Sequence, residues 1–192
     1  MKKIGLMFVI VLVGVFMVTG CGKTEYLTGK INVEIEVKDY GTIAVELDAD
    51  EAPITVTNFV DLVEEGFYDG LTFHRIIDGF MIQGGDPNGD GSGGSSRTIK
   101  GEFSSNGVDN SIDHVRGVIS MARSSLPNSA SSQFFIVQED SPHLNGEYAA
   151  FGHVTSGMEI VDAICEDVQV EDTNGTVLPE NQPVITSIKV VE

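Results

Sequence analysis

Alternation governs the stretch that follows residue 30. In "INVEIEVKDYGTIAVELD", Ile31, Val33, Ile35 and Val37 share one face, and Ile43, Val45 and Leu47 resume the pattern after a turn at Asp39 to Gly41. Period-two runs broken by a glycine-containing turn predict a β-hairpin. "APITVTNFVDLVEEG" changes the period: Phe59, Leu62 and Val63 recur at helical spacing, Pro53 suits a first helical position and Gly66 a C-terminal cap. Short apolar runs at 72–77, 80–83, 115–122, 133–137 and 149–154 predict further strands. "GMEIVDAIC" predicts a second helix and "PVITSIKVVE" a last strand. About eight short strands with turn signals between them predict a mainly β fold, a closed antiparallel barrel whose ends the two helices plug.

The N-terminus departs from this pattern. Lys2 and Lys3 precede an uncharged apolar run from Ile4 to Gly20, a basic region followed by a hydrophobic one. A membrane span wants about 20 apolar residues, so the run is borderline as a retained anchor. "VTGC" at Val18 to Cys21 resembles a bacterial lipobox, in which small residues precede a cysteine that is lipidated before the leader is cut. Residues 1–20 are therefore expected to be a lipoprotein signal peptide, 21–29 a lipidated cysteine and tether, and 30–192 one domain. The expected location is extracytoplasmic, anchored by lipid to a bacterial cell membrane.

Charge narrows the partners. The 192 residues carry 29 acidic and 11 basic side chains, a net charge of -18. Such a surface repels nucleic acid phosphates and anionic headgroups, so any membrane connection runs through the lipid rather than a basic patch. Cys165 is the only other cysteine. It is expected to be a small core hydrophobe rather than half of a disulfide.

Within so acidic a chain, "FHRIIDGFMIQGGD" places Arg75 among Phe73, Ile76, Ile77, Phe80, Met81 and Ile82. A guanidinium keeps its charge in a protein. It must either snorkel to water from an edge strand or meet a group that needs it at the rim of an apolar pocket. The following "DPNGDG" opens like a calcium loop, but its twelfth position is Arg97 where a bidentate Glu is required. "GDGSGG" departs from a serine-protease motif by the inserted Gly91, and no lysine follows at phosphate-loop spacing. The glycines instead predict a loop whose backbone approaches a ligand closely. The four histidines show no metal-ligand spacing, so neither metal nor cofactor is expected. In "VISMARSSLPNSASSQFFIVQ", alternation sends Phe134 and Phe135 to opposite faces, one to the core and one to a surface or pocket.

"FHRIIDGFMIQGGDPNGDGSGG", "SMARSSLPNSASSQFFIV" and "HLNGEYAAFGHV" occur in that order, preceded by "APITVTNF". Together they resemble the cyclophilin family of peptidyl-prolyl cis-trans isomerases over about Lys30 to Glu192. The resemblance implies an eight-stranded antiparallel barrel capped by two helices, with the active groove on its outer face. It implies that Arg75 is catalytic, with His74 beside it. Phe80 and Met81 would floor a proline pocket, Gln83 would stand beside the arginine, and Gly91 would belong to the groove-side loop. Ala122 and Arg123 would form a backbone rail for the residues before proline, although well-known members carry asparagine at the second position. Gln133, Phe135 and Leu144 would complete the groove. His143 stands where many members have a tryptophan that contacts cyclosporin, and Tyr148 where many have a histidine. Weakened cyclosporin binding is expected. Proline-containing polypeptides are the implied partners and a monomer the expected state. A proline-peptide binding module, or an anchored chaperone without turnover, is the competing reading, and the full set of matched groove residues argues against it.

Overall fold

The computed structural model describes residues 25–191, so Cys21 and the apolar leader lie outside the described residues. The hairpin forms as its alternation requires. β1 (Lys30–Val37) pairs antiparallel with β2 (Gly41–Asp48), Val33 opposite Val45 and Ile35 opposite Ile43. These four side chains are fully buried, while Glu34 and Glu36 between them face solvent. Pro53 opens α1 (Pro53–Glu64), where its missing N–H leaves no helical bond unmade. Gly66, at φ +68°, supplies the left-handed residue that ends the helix.

Six further strands follow: β3 (Phe73–Ile77), β4 (Met81–Gly84), β5 (Val118–Met121), β6 (Phe134–Val137), β7 (Ala149–Ser156) and β8 (Ile185–Val191). α2 (Met158–Asp167) lies between the last two. All eight strands form one antiparallel sheet in the order β3-β4-β6-β5-β7-β2-β1-β8. α1 leaves directly from the end of β2. Gly157, which precedes α2, instead approaches the beginning of β2, where an added Cβ would meet the Thr42 carbonyl at 2.7 Å. The helices therefore cover opposite ends of the sheet. Inside, Phe59 of α1 packs edge-on against Phe134 at 5.5 Å and tilted against Phe151 at 5.2 Å. Cys165 of α2 is buried, which pushes its thiol up to about 12.

The expected closure does not occur. The sheet is an open, curled half-barrel. β3 and β8 approach only at their first residues, through a Thr72–Val184 bridge and bonds from the Gly70 N–H to the Ile185 carbonyl (2.8 Å) and from the Phe73 N–H to the Pro183 carbonyl (3.0 Å). Two causes stop the ladder there. Pro183 has no N–H to donate, and the outer edge of β3 is already occupied. The Ile76 N–H donates to the Gly175 carbonyl at 2.8 Å, and the Val177 N–H to the His74 carbonyl at 3.1 Å.

Strands β4 to β7 bury both faces. Ile82, Ile119, Phe134, Ile136 and Phe151 join the interior core. Their neighbours Met81, Val118, Phe135, Val137 and Ala150 form a separate small cluster on the outer face, together with Leu144.

Candidate active site

That outer cluster is one side of a row of residues drawn across the sheet by strand register. Arg75 of β3 stands opposite Gln83 of β4, Gln83 opposite Phe135 of β6, Phe135 opposite Ser120 of β5, and Ser120 opposite Ala150 of β7. Directly paired residues share a face, so five strands contribute to one surface. In a regular strand Phe73 and Arg75 would also share a face. The register shifts between them, leaving His74 as an extra residue. This bulge sends Phe73 into the core and turns Arg75 outward, the re-aiming that bulges provide.

Three fixed contacts hold the arginine. Its Nε donates to the Asn174 carbonyl at 2.8 Å, Nη1 donates to Gln83 Oε1 at 3.2 Å, and Met81 Sδ lies 4.0 Å from Nη1. The glutamines continue outward as a relay. Gln83 Nε2 donates to Gln133 Oε1 at 2.8 Å, and Gln133 Nε2 donates to the carbonyls of Gly91 (3.1 Å) and Gly93 (2.8 Å). Nη2 makes no hydrogen bond to any described residue, and Arg75 forms no ion pair with any described carboxylate. Burial, the largest influence, pulls the guanidinium below its ordinary value, partly offset by the Asp172 carboxylate, yet arginine remains protonated. A half-buried cation with unused donors is thereby presented to whatever occupies the space in front of it.

That space is a cavity of about 220 Å³ between Arg75, Phe80, Met81, Phe135, Leu144 and Tyr148, with Gln83, Ala122 and Arg123 also at its wall. A second cavity of about 250 Å³ shares Gln83, Ala122 and Arg123 and adds Gly91, Gln133 and four serines. The first joins aromatic and aliphatic side chains to a comparable polar surface that Arg75, Gln83 and Arg123 help to supply; the second is mainly polar. His143 stays outside the first cavity, exposed on the 3-10 turn Pro142–Leu144, with its ring 5.5 Å from that of Phe80. His74 is also absent from it. Only 4 % exposed, it lines a third cavity of about 440 Å³ that Arg75, Gln83 and Gly91 also line, and neither ring nitrogen has a hydrogen-bond partner among the described residues.

Beneath Phe135 lies a histidine that sequence reasoning did not single out for the site. His114 is buried and stacks on that ring at 6.1 Å. Asn145 Oδ1, 3.1 Å from Nδ1, also accepts the His114 backbone N–H, so Nδ1 carries the proton and Nε2 accepts from the Ser120 hydroxyl at 3.0 Å. Burial lowers the pKa of both His74 and His114, keeping them neutral. Asn174 and Phe103 were likewise missed. Phe103 packs on one face of Arg123 at 5.1 Å, and neither residue carries a local signal for contacts so distant in sequence. The glycine-rich loop holds no calcium-like array: the Asp86 carboxylate accepts the N–H groups of Asn88, Asp90 and Gly91.

Residues 32–190 match the model of the cyclophilin type peptidyl-prolyl cis-trans isomerase family. The chain belongs to that family. Its activity is peptidyl-prolyl cis-trans isomerisation. Peptidyl-prolyl cis-trans isomerase B of Bacillus subtilis is 50% identical over 123 residues, covering 64% of this chain and 82% of the relative. A Helicobacter pylori peptidyl-prolyl cis-trans isomerase is 46% identical over 144 residues, 74% of this chain and 81% of its own. A cyclophilin type isomerase of Cryptosporidium parvum, crystallised in the presence of the dipeptide Ala-Pro, superposes with a TM-score of 0.73 at 34% identity. That match covers 84% of this chain and 99% of the crystallised one.

Proposed function

We propose that the chain turns X-Pro bonds of extracytoplasmic polypeptides in the first cavity, with Arg75 as the catalytic group, while a lipid on Cys21 tethers it as a monomer to a bacterial membrane. The observation that carries this reading is the guanidinium of Arg75, its Nη2 without a partner among the described residues, at the edge of a cavity sized for a small ring. Rotation about X-Pro crosses a barrier of about 18–20 kcal/mol because amide resonance is lost. Twisting localises a lone pair on the prolyl nitrogen and makes it a better acceptor. A donor aimed there favours the twisted state over either planar isomer, which is the condition for acceleration. Arg75 supplies that donor through Nη2, since Nη1 already faces Gln83 Oε1 and Met81 Sδ. Phe80, Met81, Phe135 and Leu144 grip the pyrrolidine and exclude water, which strengthens the bond. Ala122 and Arg123 provide the rail for the residues before proline, and the polar cavity beside Gly91 and Gln133 receives their side chains.

An isomerisation assay on a proline-containing peptide tests the reading. Arg75→Ala should keep the fold and lower kcat/KM by about ten- to two-hundredfold, the range of one charge-assisted hydrogen bond. A folded variant with wild-type turnover would remove the arginine from the mechanism. Mass spectrometry of the mature N-terminus tests the tether: diacylglycerol on Cys21, lost in Cys21→Ala, is expected, and an unmodified cysteine would overturn it. Two or more acyl chains suffice for stable anchoring where one does not.

A further inference from the structure

We propose that the Tyr148 hydroxyl is a second hydrogen-bond donor to the substrate, facing Arg75 across the proline cavity, and that Arg123 is the residue that positions it. The inference rests on the reading of that cavity as the isomerase site. Tyr148 lies two residues before Ala150, the β7 end of the row that begins at Arg75. Arg75 on β3 and Tyr148 in the turn before β7 therefore enter one cavity from opposite ends of the row. The Tyr148 ring is half-buried and its edge-to-face contact with Phe135 spans 5.8 Å. Its hydroxyl makes no hydrogen bond to any described residue. A phenol hydroxyl at a cavity wall with no described partner is a donor open to an acceptor. The X-Pro unit offers carbonyl oxygens on both sides of the rotating bond, and Arg75 can serve only the side it faces.

While its backbone belongs to the rail, the side chain of Arg123 fixes the tyrosine. Its guanidinium lies over both rings, 4.7 Å from the centre of Tyr148 and 5.1 Å from that of Phe103. Nε donates to the Glu147 carbonyl and Nη1 to the Ser124 carbonyl, both at 2.9 Å, and Nη2 lies 3.5 Å from Glu147 Oε2. The side chain is only 14% exposed. One planar cation thus joins the loop after β5 to the loop before β7 and fixes the ring plane of Tyr148. Holding a guanidinium over two rings while donating along its edge is a task lysine cannot perform. The two departures from the common family pattern, arginine at 123 and tyrosine at 148, form one unit.

The test is a double-mutant cycle with peptide isomerisation and thermal unfolding as readouts. Tyr148→Phe keeps the ring, its stack and its contact with Phe135 and removes only the hydroxyl. It should lower kcat/KM by about three- to tenfold, the range of a neutral hydrogen bond, with Tm unchanged. Arg123→Ala should cost a similar factor in the Tyr148 background and little more once Tyr148 is phenylalanine. Arg123→Lys should restore neither. Wild-type turnover in Tyr148→Phe would overturn the donor role. An equal loss from Arg123→Ala in both backgrounds would show that the arginine acts independently of the hydroxyl and overturn the positioning role. Neither result would touch the isomerase reading, which fails only if the wild-type protein does not turn the peptide.

Discussion

Phe134 and Phe135 are adjacent on β6, chemically identical and both buried, yet they belong to different parts of the molecule. Phe134 enters the interior, where Phe59, Tyr68 and Phe73 surround it edge-on at 5.5, 5.6 and 6.1 Å. Phe135 lies on the outer face between His114, stacked at 6.1 Å, and Tyr148, edge-on at 5.8 Å. The interior is sealed by two helices; the outer cluster is left open as a cavity. One strand therefore specifies both fold and site, and the pleat decides which residue does which. The difference teaches that one strand can supply both a core residue and a wall of the cavity, which residues outside the sheet, Phe80, Leu144 and Tyr148, then complete.

Truncation should break the pair apart. Phe134→Ala should destabilise the protein by about 3–5 kcal/mol, the cost of a buried aromatic plus the void it leaves, read by urea or thermal unfolding. Phe135→Ala should cost less stability, because an open cavity already adjoins it. Its kcat/KM should fall by about ten- to a hundredfold, as expected when about 1.5–3 kcal/mol of apolar contact is withdrawn from the proline ring. If both variants lost stability equally with turnover intact, the division between the two faces would collapse.

The alternation that separates these phenylalanines was legible in the sequence, as were the first hairpin and both helices, because each rests on local period and turn chemistry. The bulge at His74 was not. A plain reading of "FHRII" puts Phe73 and Arg75 on the same face, and only pairing with β4 reveals the extra residue. The open seam was missed for a similar reason: Pro183 is visible in the sequence, but its position opposite Phe73 is a tertiary fact. At the site, the motif residues Arg75, Phe80, Met81, Gln83, Phe135, Leu144 and Tyr148 do line one cavity, whereas His74 lines another and His143 lies at the margin of the first. Asn174, which orients Arg75, comes from a polar loop 99 residues away.

The two buried histidines sharpen the comparison through pH. Burial, the largest influence on each, holds both below the ordinary value of 6.5. The unfolded chain then binds protons that the native state refuses, so stability rises with pH in that interval. Stability from the neutral imidazoles should be complete above about pH 6.5 and be lost as pH falls through the lowered native values. His114→Gln should flatten the pH dependence of Tm measured from pH 7 to 5. An unchanged profile in both His114→Gln and His74→Gln would assign the acid sensitivity elsewhere.

The smallest expected effect lies at the margin of the outer face. His143 offers less apolar surface than the tryptophan of many relatives, so His143→Trp should tighten cyclosporin inhibition by about three- to tenfold through added contact area. Turnover should stay near wild type, because His143 lies outside the proline cavity. Equal inhibition of both forms would remove His143 from inhibitor recognition.

The central claim is that a planar guanidinium, turned outward by the bulge at His74, performs the rotation. Arg75→Lys tests it most directly, because charge is kept while the fork is lost. The ammonium cannot hold the Asn174 carbonyl and Gln83 while also addressing a prolyl nitrogen. With circular dichroism unchanged, kcat/KM for a proline peptide should therefore fall nearly as far as in Arg75→Ala. A folded Arg75→Lys protein with wild-type turnover would contradict the account.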